Sequence, residues 1–158
     1  MKDKIWETVK PSIPCIIFAH IYAIIERLYH PWEIINPFLS FLPHIQGYQT
    51  KISPYNYLFL PALLLLVSYI STRKPITLII ANTLLTGLIE DVTYFYLFND
   101  TIKPTNWTSK IMGYITITNH TIPLWYIPTI ATILILYTFT ILHHEENGNN
   151  TSNREEST

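Results

Sequence analysis

The apolar run from Ile76 to Phe98, ITLIIANTLLTGLIEDVTYFYLF, carries two adjacent acids, Glu90 and Asp91. About 20 consecutive, mostly apolar residues suffice to cross a bilayer as a helix, so the run reads as a transmembrane span. A charged residue at mid-membrane costs roughly 2.5–3.5 kcal/mol on insertion scales. Two neighbouring acids should therefore face protein or water rather than lipid, and the rest of the chain must provide their shelter.

Composition agrees with a membrane protein. Charged residues make up 13% of the chain, against about 25% in soluble domains. The net charge of −1 gives no reason to expect a nucleic-acid partner. The single Cys15 lies in an apolar run and cannot form an internal disulfide. No Gly-rich phosphate loop, CxxC pair, GxSxG elbow or internal repeat is present.

Taken in order, the chain divides into a membrane domain over residues 1–142 and a tail over residues 143–158. Residues 1–11 are polar, with Lys2, Lys4 and Lys10 ahead of an apolar run. A secretory signal is the rival reading. The run, however, contains Glu26 and Arg27 and no small-x-small cleavage site follows it. It therefore reads as a first span over 12–29. The segment 30–54 is rich in proline and aromatics; Trp32, Phe38, Phe41 and Tyr48 suit a membrane–water interface, and Ile34 to Leu42 suits a short interfacial helix. The second span covers 55–71 and looks the most plainly lipid-facing, the basic turn 72–75 leads into the third span, 76–98, and the connection 99–121 is polar. The fourth span covers 122–142, with Pro123 in its first turn and Pro128 as a kink. The polar tail lacks apolar anchors and is expected to be disordered.

The distribution of Lys and Arg predicts both termini in the cytoplasm. One side carries Lys2, Lys4, Lys10, Arg73, Lys74 and Arg154; the other carries Lys51, Lys103 and Lys110, with Arg27 near a helix end. The sequons at Asn99, Asn106 and Asn119 fall in the predicted outer connection. The expected location is the plasma membrane of a prokaryote, crossed several times.

In that orientation most ionisable residues occupy the outer layer. Glu26, Glu90 and Asp91 lie in the outer halves of their spans, His20 near the middle of the first, and His30, Glu33, His44 and His120 on the outer connections. Tyr22, Glu26, Tyr29 and His30 follow i, i+4, i+7, i+8 and share a helix face. Thr83, Thr86, Glu90 and Tyr94 form a polar stripe on the third span, with Gly87 beside it to admit a neighbouring helix. Asp91, about 100° round the helix, faces a different partner.

The candidate catalytic residues are Glu90, Asp91 and Glu26, with His20, Arg27 and Tyr94 as ligand-binding or orienting groups. Carboxylates and imidazoles on facing helices can bind a divalent metal; the candidates are Glu26, His30, Glu90 and His20. Adjacent buried acids can also divide into one neutral acid and one carboxylate for acid–base work on a lipid or isoprenoid. The alternatives are proton or ion transport, and a non-enzymatic subunit of a larger membrane complex or homo-oligomer whose buried charges fix helix packing.

The run Glu90-Asp91-Val92-Thr93-Tyr94-Phe95, followed by Asn99, resembles a pattern in a group of small prokaryotic four-helix membrane proteins. In that group an acid pair precedes Trp-Phe and then Asn-Pro, with a His and a Glu in the first helix. His20 and Glu26 could fill those places, and Trp107 and Pro123-Leu124-Trp125-Tyr126 resemble its later features. Here Tyr94 stands where Trp is usual, Asn99 comes one residue late and Asp100 replaces Pro. The resemblance implies an all-α, polytopic architecture with four transmembrane helices, and the choice of site residues; it implies no activity. Paired acids before aromatics also resemble the membrane-embedded lycopene cyclases, although those have a proline shortly before the acids where this chain has Leu88 and Ile89.

Overall fold

The computed structural model describes residues 2–46, 49–72, 75–96, 102–118 and 120–155. Tyr48, the turn residues Arg73 and Lys74, the last two residues of the expected third span, Asp100, and the sequon residues Asn99 and Asn119 lie outside them.

The chain is mostly helical, and among the described residues four helical segments are long and apolar enough to cross a membrane: Ile5–Tyr29, Tyr55–Thr72, Ile76–Phe95 and Tyr126–His143. The first contains a short helix α1 (Lys2–Val9) and a long one, α2 (Ser12–Tyr29). The second begins with a π-helical turn (Tyr55–Phe59) and continues as α4 (Leu60–Thr72). The third is α5 (Ile76–Tyr96) and the fourth lies in α7 (Tyr126–Glu155). Helix α5 packs against α2, α4 and α7 alike and is the centre of the bundle.

Small side chains explain the closeness of this packing. The buried stripe of α2 is Ser12, Cys15, Ala19, Tyr22, Ala23 and Glu26, largely short residues at helical spacing. On α4 the buried residues are Leu60, Leu64, Ser68 and Thr72, one turn apart. A Cβ placed on Gly87 of α5 would stand 3.1 Å from Leu64 Cδ1, so this glycine sets how near α4 comes. Outward-facing Ile, Leu and Phe side chains clothe the bundle.

At one end of the bundle the helices are joined by neutral hydrogen bonds. Tyr137 of α7 bonds both Ser12 of α2 and Asn82 of α5. Asn82 donates to Thr72 Oγ1 at 2.8 Å, and Thr77 pairs with Thr140 at 2.9 Å. The acids lie towards the opposite end.

The connections at that opposite end are folded. A helix α3 (Pro31–Phe38) follows α2 directly, because His30 takes a left-handed conformation (φ 47°) that ends α2 and turns the chain. Two antiparallel hairpins follow, β1 (Ile45–Gln46) with β2 (Lys51–Ile52), and β3 (Tyr114–Ile117) with β4 (His120–Pro123). Helix α6 (Trp107–Met112) precedes the second hairpin, and the Gln49 amide donates to the Lys110 carbonyl at 2.7 Å, tying the two connections together.

Several expectations are corrected here. The fourth span does not start at Ile122, because Ile122 and Pro123 belong to β4 and the helix starts at Tyr126. Pro128 therefore falls in the first helical turn, where no intrahelical N–H bond is lost, and is not a mid-helix kink. The fourth span, with 17% of its most apolar window buried, is more outward-facing than the second, with 28%. Helix α7 extends to Glu155.

Candidate functional site

Glu26, Glu90 and Asp91 come together inside the bundle, each nearly inaccessible, at 6%, 3% and 3% exposure. Their positions follow from helix geometry. Glu26 ends the buried stripe of α2, while Glu90 continues the row Asn82, Thr86, Glu90 along α5 at i+4 intervals. Thr83, half-buried and bonded to its own helix at Ile79 O, stands beside this row rather than in it.

The Glu90 carboxyl faces that of Glu26 where α2 packs on α5. Among the described residues no N–H or O–H group reaches Glu90 Oε1. Ionised carboxylates only accept hydrogen bonds, so two facing carboxyls can bond to each other only when one of them carries a proton. Asp91 turns the other way round α5 and accepts a hydrogen bond from Tyr126 Oη of α7. The two adjacent acids thus serve different helices, as their angular separation predicts.

Two tyrosines extend the network. Tyr55 Oη donates to Glu26 Oε1 at 3.0 Å, and the Tyr22 and Tyr55 hydroxyls lie 2.6 Å apart. Since Tyr55 spends its proton on Glu26, Tyr22 must donate to Tyr55. Tyr55 is fully buried, with its backbone N–H held by Asn36 Oδ1 at 3.2 Å and its ring stacked on Phe59. The Arg27 guanidinium lies 5.3 Å from the Tyr94 ring centroid, with Nη1 donating to Tyr94 Oη at 3.4 Å.

A cavity of about 240 Å³ adjoins the acids, lined by Glu26, Trp32, Asn36, Ser53, Asn56 and Tyr94. Helix α3 supplies Trp32 and Asn36, Ser53 comes from the segment leading into the second span, and Asn56 from the π-helical turn that begins it. Glu26 thus belongs both to the carboxyl pair and to the cavity wall.

The predicted histidines lie elsewhere. His20 is exposed and its Nδ1 bonds Ile16 O of its own helix at 2.8 Å. His30 caps the end of α2 and faces Glu33 Oε1 at 3.9 Å, both side chains well exposed. Tyr29 is 70% exposed, so the predicted shared face of Tyr22, Glu26, Tyr29 and His30 holds only for its first two members. His44 and His120 are exposed on the connections. Among the described residues no group of three or more His, Cys, Asp and Glu is arranged to hold a metal ion, so the candidate set Glu26, His30, Glu90 and His20 does not assemble.

Sequence reasoning missed Tyr55 and Tyr126 as partners of the acids, and Asn36, Ser53 and Asn56 as cavity lining. A tyrosine at a span's end reads as interface belt. The available signal was the pair of asparagines, Asn36 and Asn56, set among apolar and aromatic neighbours. No protein-family model, curated protein or solved structure matches the chain.

Proposed function

We propose that this chain is a multi-pass membrane protein whose Glu26–Glu90 carboxyl pair is a proton-holding acid–base site, acting on a ligand in the adjacent cavity. Both termini are cytoplasmic in this reading and membrane lipids are the immediate partners. The observation that carries it is the double membership of Glu26, facing the buried Glu90 carboxyl and lining the cavity. Glu90 would hold or return the proton, Tyr55 would keep the Glu26 carboxyl oriented, and Asp91 would be held by Tyr126 against α7. Tyr94 would border the ligand, and Arg27 would orient the Tyr94 ring.

The main alternative makes the acids purely structural. Against it stands the other end of the bundle, where Ser12, Tyr137, Asn82 and Thr72 join the helices with no charge. Neutral pairs suffice for packing there, and buried carboxyls add desolvation costs that packing alone does not require. The placement of His20 and His30 away from the carboxyls favours a proton over a divalent metal as the occupant of the pair.

A hydrophobic carbodiimide tests the proposal, since it modifies protonated carboxyls in apolar surroundings. Mass spectrometry of the folded protein in mild detergent should find the adduct on Glu26 or Glu90, and filling the cavity with Asn56→Trp should slow its formation. Absence of an adduct on either residue, with unfolded protein labelled normally, would count against the proposal.

A further inference from the structure

We infer that the cavity beside Glu26 takes a compact organic ammonium group, an inference that rests on the acid–base reading of Glu26 and its cavity. Glu26 supplies the one carboxyl group among the residues of the wall. Its wall includes the Trp32 and Tyr94 rings. Aromatic faces attract cations, and tryptophan does so most strongly. Arg27 already lies over the Tyr94 ring, and Trp32, in edge contact with His30 and Tyr55, is the second aromatic ring of the wall. Asn36, Ser53 and Asn56 add neutral polar groups, and no lysine or arginine is among the described residues of the lining. An anionic ligand would meet the Glu26 carboxyl there.

Size narrows the class. A volume of about 240 Å³ is below the roughly 300–1,000 Å³ of drug-sized pockets. At about 30 Å³ for each water's share of the liquid, it equals roughly eight waters, room for a choline-sized head. Helix α3 supplies Trp32 and Asn36 to the cavity while its Ile34 and Phe38 are exposed. The same site could therefore be reached by an ammonium carried on a lipid or by a free one.

The test uses the full chain in mild detergent, titrated calorimetrically with choline and with its uncharged isostere, in which carbon replaces nitrogen. Retention of choline-headgroup against glycerol-headgroup phospholipid is followed by native mass spectrometry. The charged head should be preferred by at least ~10-fold, about 1.4 kcal/mol. Both Glu26→Gln and Trp32→Leu should abolish that preference; Trp32→Leu lies on a short peripheral helix and guards against a folding artefact in the other. Saturable binding of free choline would mark a soluble ligand, and retention of the choline lipid alone would mark a lipid. Equal binding of choline and its isostere, indifference to both substitutions, or no binding of either charged form would overturn the inference. If infrared spectra show the Glu26–Glu90 proton and no ammonium binds, this inference fails and the acid-pair reading stands. If the parent has no protonated carboxyl at the pair, both fall.

Discussion

The carboxyls of Glu26 on α2 and Glu90 on α5 face each other inside the bundle, and Tyr55 donates to Glu26 from a third segment. In the proposed reading this pair joins the two helices through a proton rather than through an ion pair. It predicts that glutamine, which keeps an N–H donor, is tolerated at position 90. Glu90→Gln should change unfolding free energy in detergent by no more than about 1 kcal/mol, whereas Glu90→Ala, leaving Glu26 without its partner, should cost about 1–3 kcal/mol. Equal losses in the two variants would argue against a donated hydrogen bond.

Tyr22, Tyr55 and Glu26 form a directed chain of hydrogen bonds. Tyr55→Phe removes both of its members' contacts at once and should cost about 1–3 kcal/mol. Tyr22→Phe should then add little in the Tyr55→Phe background, with a coupling of about 0.5 kcal/mol or more in a double-mutant cycle. Strict additivity of the two substitutions would contradict a shared network.

Asn82 is the hub of the opposite end, bonded to both Thr72 and Tyr137. Interhelical hydrogen bonds in membrane proteins average about 0.6 kcal/mol and reach about 1.7. Asn82→Val should therefore lower stability by about 1–3 kcal/mol while leaving carbodiimide labelling at the acids unchanged. Loss of labelling in a folded Asn82→Val protein would show that the two networks are not separate.

Gly87 admits Leu64 of α4, whose Cδ1 would stand 3.1 Å from a Cβ at that position. Gly87→Leu should destabilise the bundle by about 1–3 kcal/mol through overpacking. Adding Leu64→Ala should recover part of that loss, as read from thermal unfolding in detergent. No recovery would place the cost elsewhere than at this contact.

His20 is exposed and bonded to its own helix. His20→Ala should alter stability by no more than about 0.5 kcal/mol and leave carbodiimide labelling of the acids unaffected. A change in that labelling would restore His20 to the site.

The helices were legible because hydropathy and length decide them. The first span is predicted over 12–29 and α2 covers Ser12–Tyr29. Glu90 and Asp91 addressing different helices was legible too, from the turn of about 100° between neighbours. The histidines were misread because composition places His20 at the right depth but does not say which face it takes; only the packing of α2 through Cys15, Ala19 and Ala23 turns it outward. The hairpin at 114–123 was hidden by its Thr-rich, polar sequence, which reads equally as loop. Tyr55 and Asn36 came to the acids through long-range packing, of which a single sequence carries no local sign.

The central claim is that Glu26 and Glu90 hold one proton between them. Infrared spectroscopy of the folded protein, in light and deuterated water, reads that directly. The account predicts a protonated-carboxyl band that shifts on deuteration and is lost in a folded Glu90→Gln variant. A folded parent without such a band, or a band that Glu90→Gln leaves intact, would contradict it.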